Sequence, residues 1–265
     1  MTDMNVEILH DKKRIERVLS RDRPLHIYEI GDLDDFFWDK TVWFSAGIGE
    51  VHEEIVLLYC GAIPPVLIAL YDTEIGVMDE LLQSMRPYLP PRFHAHLGEG
   101  LIDVFGQEVI EKSYGKFFKM ALNRGEVGTP QSDPSIRGLG EKDVGEALEL
   151  YKESYKDNCF NPRMLETGKF LGYFVDGNLT GIAGIHVYSK KYKVAALGNI
   201  TVHPRMRNKG IGEKLTVALC NDLLKTVDTI GLNVAQDNKS ALRCYEKVGF
   251  GVVGEYEEYL LRNPI

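Results

Sequence analysis

The chain has 265 residues, 44% hydrophobic and 26% charged, with a formal net charge of −8; that suits one large or two ordinary globular domains with ample core. It has no run of about 18 apolar residues, its N-terminal stretch MTDMNVEILHDKKRIERVLS lacks the apolar h-region of a secretory signal, and its four cysteines (Cys60, Cys159, Cys220, Cys244) form no CxxC pair. The expectation is a cytoplasmic protein with reduced thiols, without a membrane span, disulfide framework or metal site.

Charge is unevenly spread. Residues 1–134 hold 13 Lys and Arg against 23 Asp and Glu, and residues 135–265 hold 18 against 16, balances of −10 and +2. This argues against a nucleic-acid binder and for two halves with different jobs. In the first half, DLDD at 32–35 lacks the glycine and terminal glutamate of a calcium loop and reads as a helix start. The aromatic DDFFWDKTVWFSAG follows, then EEIVLLYC and PPVLIALYD as a hairpin, EIGVMDELLQSMRPYL as a helix and RFHAHL as a strand. That strand puts His94 and His96 on one side, but no third ligand has suitable spacing, so they read as surface or packed histidines. LIDVFGQEVIEKSY reads as a helix, or a helix plus loop. In ALNRGEVGTPQSDP, 121–134, the apolar period is lost. The expected domains are 1–130 and 135–265.

The second half reads as a mixed α/β sheet in the order β-α-β-β-β-α-β-α-β. SIRGL is a short strand, and EKDVGEALELYKESY a helix with Val144, Ala147, Leu148 and Tyr151 on one stripe. KFLGYFV and LTGIAGIHVYS are strands joined by the hairpin signal Asp176-Gly177-Asn178. KVAALGNITV is apolar almost throughout and is expected to be central. A helix over 211–226 buries Ile211, Leu215, Ala218, Leu219 and Leu223. TIGLNVA is a strand, and NKSALRCYEKVGF a helix with Asn238 as N-cap and Gly249 as C′ residue. VVGEYEEYLL closes the sheet.

Between the central strand and the next helix lies HPRMRNKGIG. Unpaired N–H groups at a helix N-terminus favour an anion. Gly210 and Gly212 remove side-chain bulk, and Arg205, Arg207 and Lys209 add charged donors, so the loop is built to receive a phosphate or to be a solvated turn. There is no GxxxxGK[ST] of a Walker loop and no GxGxxG dinucleotide fingerprint. Val202-His203-Pro204 with Arg207-x-x-Gly210-x-Gly212 resembles motif A of the GNAT N-acyltransferase superfamily. N-x-x-A-x-x-x-Y-x-x-x-G-F over 238–250 resembles its motif B. The resemblance covers about 135–265.

The resemblance implies a GNAT acyltransferase fold and transfer of an acyl group, expected to be acetyl, from acetyl-CoA to a small-molecule or peptide amine, with no metal. The alternatives are a coenzyme A-binding sensor or scaffold without turnover, which the missing strand carboxylate keeps open, and an enzyme that acetylates a protein lysine or N-terminus. It implies that Ile200, Thr201 and Val202 pair with the pantetheine arm through their backbone. It also implies that Arg207, Asn208, Lys209, Gly210, Ile211 and Gly212 hold the pyrophosphate, and that Asn233 and Asn238 add contacts. Tyr245 is the catalytic candidate: it is protonated at neutral pH and placed to supply a proton to the leaving thiolate, although its spacing with Ala241 and Val248 also fits ordinary core. Gly198 fits a bulge or close packing. The central strand carries no glutamate for a general base. Asn199 could only orient an amine, and His186, Glu166 and Glu255 are remote candidates beside a water relay.

IALYDTEIGVMDELLQSMRPYL and RFHAHL repeat the strand, turn, Ile-Gly, helix and strand of the second half. The first half therefore resembles a degenerate GNAT copy, as in glycine N-acyltransferase-like proteins. Its turn, Asp72-Thr73-Glu74, is short and acidic, so one coenzyme A site per chain is expected.

Overall fold

The computed structural model describes residues 6–48, 52–72, 75–125, 127–129, 132–156 and 158–263. The chain divides into two compact units, Met1–Lys119 with Val253–Ile265, and Met120–Val252.

The first unit begins with β1 (Glu7–Leu9), α1 (Lys12–Leu19), α2 (Ile27–Asp32) and α3 (Asp35–Trp38). Asp11 caps α1 and Asp34 caps α3, each by accepting from backbone N–H groups of the first turn. Within DLDD it is thus Asp34 and Asp35 that start a helix. Next come β2 (Thr41–Ile48), β3 (His52–Tyr59), β4 (Val66–Ala69), α4 (Ile75–Met85) and β5 (Arg92–Leu97). β1 to β4 pair antiparallel in sequence order, and β4 pairs parallel with β5 across α4. Phe93, Ala95 and Leu97 of β5 share one core with Met78, Leu81, Leu82 and Met85 of α4. His94 and His96 alternate with them, and the described residues contain no metal-binding group of three.

The stretch expected to be helical at 101–114 is instead two 3₁₀ turns, Leu101–Val104 and Gln107–Val109, followed by the long strand β6 (Ile110–Leu122). Val109, Ile110, Tyr114, Phe117 and Phe118 are β-branched or aromatic and lose rotamer freedom in a helix. Helix periodicity outweighed that composition in the sequence reading.

The second unit repeats the plan: β7 (Ile136–Gly138), α5 (Val144–Ser154), β8 (Leu171–Val175), β9 (Asn178–Ser189), β10 (Val194–Val202), α6 (Ile211–Leu223), β11 (Thr229–Ala235) and α7 (Lys239–Val248). β7 to β10 pair antiparallel in order, and β10 pairs parallel with β11 across α6. Asp176 and Gly177 both take positive φ, +51° and +80°, and close the β8–β9 hairpin. On α5 the buried residues are Ala147, Leu150 and Tyr151, whereas Leu148 is 46% exposed. The stripe lies one step round the helix from the expected one. Ile211, Leu215, Leu219 and Leu223 of α6 are buried as expected, and Ala218 lies at the margin.

The last strand, β12 (Phe250–Arg262), was expected to close the sheet of the second half. Its residues 257–262 instead pair antiparallel with β5, within the first unit. Strand pattern reveals which residues are extended, but not which edge they choose.

Candidate functional site

The site begins where β10 leaves β11. The two strands pair in parallel from Val194↔Thr229 to Leu197↔Leu232 and no further, although β10 runs on to Val202 and β11 to Ala235. Five residues of β10, including Ile200, Thr201 and Val202, thus extend past the last pair on that side. The first unit lacks this gap: β4 and β5 pair to Ala69↔Leu97, and the Gly98 N–H continues the ladder to the Ala69 carbonyl at 2.9 Å.

On its other side β10 shows two irregularities against β9. Ala196 faces Val187 while Leu197 faces Ile185, which leaves His186 as an extra residue on β9. Gly198 faces Gly184 while Thr201 faces Ile182, which leaves an extra residue on β10, where Asn199 has φ +54°. Bulges bend a strand and re-aim side chains. The Gly198 position resolves both of its readings: it lies beside a bulge, and a Cβ there would stand 2.0 Å from the His186 ring. The tight neighbour is an imidazole.

Asn199 is 2% exposed. Its Nδ2 donates to the Ile185 carbonyl at 3.4 Å and to Met164 Sδ at 3.6 Å, while its Oδ1 is buried without a hydrogen bond among the described residues. The Asn233 Oδ1 on β11 is in the same state. Two orphaned amide oxygens therefore sit on the strands that part; each is costly unless another group supplies a donor. The Tyr151 hydroxyl on α5 donates to the Asn199 carbonyl at 2.7 Å, and Thr201 Oγ1 donates to Ser154 Oγ at 2.9 Å. Helix α5 thus holds the bulged end of β10. Sequence reasoning assigned Tyr151 to packing alone and missed Ser154, since neither bond has a local signature.

Beyond Val202 a 3₁₀ turn at Pro204–Met206 leads to Asn208 and Gly210, both left-handed at φ +61° and +74°. Gly210 starts α6 with no side-chain cap, so the N–H groups of its first turn have no partner from that residue. No atom lies within 4 Å of a Cβ at Gly210, and at Gly212 only Val202 Cγ2 does, at 3.8 Å. The space over the helix end is open, which fits an anion on the backbone. The basic side chains differ in task. Arg207 donates to the Val202 carbonyl at 3.2 Å and to the Ser154 carbonyl at 3.0 Å, bracing the loop. Lys209 is exposed and 3.5 Å from Met206 Sδ. His203 Nδ1 accepts from the Arg205 N–H, so Nε2 carries the proton donated to Glu153 at 2.9 Å. The acidic Glu213 in the first turn is offset by Lys247 at 3.6 Å.

Asn238 caps α7 by accepting from the Ala241 N–H at 3.1 Å. One turn further along, the Tyr245 ring meets Phe250 edge-on at 6.0 Å. Burial, helped by nearby Cys244, Tyr155 and Cys220, pushes its hydroxyl above the ordinary tyrosine range. It therefore stays protonated and can donate. Burial pulls His186 down to about 4, so its imidazole is neutral at physiological pH. Glu166 is exposed on the 3₁₀ segment Pro162–Thr167, and Glu255 lies in the first unit.

Strands that part around a bulge, followed by an open glycine loop at a helix end, characterise this α/β domain. Residues 138–250 match the acetyltransferase (GNAT) family. Part of the chain is 35% identical, over 94 residues, to the L-amino acid N-acetyltransferase AaaT of Escherichia coli (strain K12). That match takes in 34% of this chain and spans 57% of the length of that curated relative. A Drosophila protein superposes over 97% of this chain and 98% of its own, with TM-score 0.73 and 12% identity. A tandem GNAT protein from the clavulanic acid biosynthesis pathway matches over 99% of both chains, with TM-score 0.59 and 13% identity. The fold is thus GNAT-like over nearly the whole chain. The described residues hold no helix long and apolar enough to cross a membrane.

Proposed function

We propose that the chain is an N-acyltransferase that moves an acyl group, acetyl in the simplest case, from coenzyme A to an amine. The observation that carries this reading is the parting of β10 and β11 after Leu197↔Leu232, in a domain that matches the GNAT family. An extended pantetheine arm would add along the free side of β10, pairing with the backbone of Ile200, Thr201 and Val202 as a peptide adds to a sheet edge. The pyrophosphate would rest on the first turn of α6, with Gly210, Ile211 and Gly212 offering N–H groups and Asn208 and Lys209 beside them. The orphaned oxygen of Asn233 would take a donor from the pantetheine amides, and Asn238 would reach the same arm.

The amine attacks the thioester carbon, negative charge gathers on the carbonyl oxygen, and collapse expels the thiolate. Tyr245 donates its proton to that sulfur. Backbone N–H groups at the bulge would stabilise the oxyanion. The acceptor reading rests on the relative named for L-amino acids and extends to small primary amines, whose pocket would draw on the segment 156–168, residue 157 of which lies outside the described residues. The domains are proposed as a first at 1–130 and a GNAT domain at 135–265. The test is thiol release from acetyl-CoA with a panel of free L-amino acids, polyamines and peptides. Release with at least one amine supports the reading; coenzyme A binding with no release against any acceptor overturns it.

A further inference from the structure

We propose that His186 is the proton acceptor of the transfer reaction, taking the proton that the attacking nitrogen loses. This rests on the acyltransferase reading above. The sequence offers no carboxylate on β10, and His186 lies on a different strand, which made it a remote candidate. The fold removes that distance through three independent features.

First, His186 is the extra residue of a bulge. Without it β9 and β10 would keep the register of Val187↔Ala196 as far as the second bulge, at Asn199. Only two residues of chain separate this bulge from the register of the second, at Asn199. A bulge on each of two paired strands, side by side, re-aims one residue from each. Second, the imidazole lies on Gly198, where any Cβ would stand 2.0 Å from the ring. Gly198 is the first residue of β10 past the last pair with β11, which is where the thioester end of an arm laid along β10 would stop. Third, β9 is fully buried over 181–185 and becomes partly exposed at His186. The strand is thus less enclosed at His186 than over the five residues before it.

The proton balance closes. When the amine nitrogen bonds to the carbonyl carbon it becomes cationic and a far stronger acid than a free ammonium. The neutral imidazole accepts its proton. The carbon–sulfur bond then breaks, the electron pair leaves with sulfur, and Tyr245 protonates the thiolate. Solvent takes the proton from His186 and returns one to Tyr245, so the net product is amide plus thiol. Burial keeps the imidazole neutral before attack but also weakens it as a base, so the proton it takes must be an acidic one, as that of the cationic adduct is. Glu166 is exposed, and Asn199 cannot take a proton.

The test compares the wild-type chain with His186→Gln, His186→Ala and Gly198→Ala, using acetyl-CoA and the best amine of the panel at pH 8. His186→Gln should lower kcat at least 100-fold, with the KM for acetyl-CoA changed less than three-fold. In His186→Ala, added imidazoles should restore the rate at least ten-fold, more so as their basicity rises. Gly198→Ala should displace the ring and lower kcat without rescue. Coenzyme A affinity measured by calorimetry, within three-fold of wild type, establishes that each variant is folded. Wild-type turnover with His186→Gln keeping more than a third of kcat, or rescue indifferent to imidazole basicity, overturns the role of His186 alone. A wild-type chain that releases no thiol overturns the acyltransferase reading and this one together.

Discussion

Tyr245 and Asp32 show how one buried side chain acquires its protonation state. Removing the Tyr245 hydroxyl removes an interaction made only as the thiolate departs, so Tyr245→Phe should lower kcat ten-fold or more while coenzyme A affinity stays within two-fold. Steady-state kinetics with acetyl-CoA checks this; unchanged kcat where chemistry limits the rate would make Tyr245 a core residue packed on Phe250. Asp32 is 5% exposed, and burial first and the Glu29 carboxylate second raise its pKa well above the ordinary range. For Glu29, burial acts upward, but Lys119 first and His26 next outweigh it and hold the carboxyl at about 2. The two groups have opposite linkage. Glu29 contributes stability above its unfolded value of about 4.3 that is lost as pH falls towards 2. Asp32 contributes stability below about 3.9 that is lost as pH rises through its folded value. Asp32→Asn carries no such proton, so its melting temperature relative to wild type should climb as pH rises from 4 and level off once the folded value of Asp32 is passed. Each kcal/mol gained moves the midpoint by roughly 2–4 °C in a chain of this size. A difference between the two proteins that does not vary with pH would sink the idea.

At the scale of elements, the end of β10 depends on α5. The Tyr151 hydroxyl spans 48 positions of sequence to reach the Asn199 carbonyl, at the one residue of β10 with positive φ. Tyr151→Phe leaves that carbonyl buried and unpaired, which costs about 1–3 kcal/mol. It also frees the bulge, so kcat should fall several-fold along with stability; thermal melts and kinetics on the same preparation would check both, and a loss of stability with full kcat would separate the bulge from catalysis. This element also shows what sequence can and cannot reveal. The helix caps Asn238 and Gly249, the Asp176-Gly177 hairpin and the HPRMRNKGIG loop were all legible, because each is local chemistry within a few residues. Of the paired bulges only the one beside Gly198 was signalled, by the glycine; the one at His186 was not, since β9 and β10 reach the same register after both and the apolar pattern hides it. β6 was missed for a related reason: a strand with polar and aromatic residues mixed on both faces has no clean period of two. Arg207 lies in the loop, and two of its guanidinium N–H groups go to the Val202 and Ser154 carbonyls, bonds that no local pattern announces.

Over the whole molecule, two units of one topology raise the question of how many coenzyme A sites the chain holds. Both units run strand, helices, three antiparallel strands, helix and parallel strand. The requirements of the ligand separate them. An extended arm needs a strand side free of its neighbour. β10 offers five residues past Leu197↔Leu232, whereas β4 is paired with β5 to its last residue and on through Gly98. The proposed mechanism needs a proton donor for the thiolate, and α7 carries Tyr245. In the first unit two 3₁₀ turns stand between β5 and β6 where the second has α7 after β11. The proposed pyrophosphate site needs an open helix start with no carboxylate in the turn before it, as at Gly210; the corresponding turn of the first unit carries Asp72 and, outside the described residues, Thr73 and Glu74. Carboxylates near a polyanion oppose its binding. Calorimetric titration with coenzyme A should therefore saturate at one per chain. Gly210→Val places a β-branched residue at φ +74°, which strains the backbone and covers the helix end. Several charge-assisted bonds of about 1.5–3 kcal/mol each depend on that approach, so affinity should fall at least ten-fold. With one site the variant should lose its entire titration together. A measured stoichiometry of two, or a Gly210→Val chain that keeps one full-affinity site, would mean that the zipped strands of the first unit open to take a ligand, and that its likeness to the second is functional as well as topological.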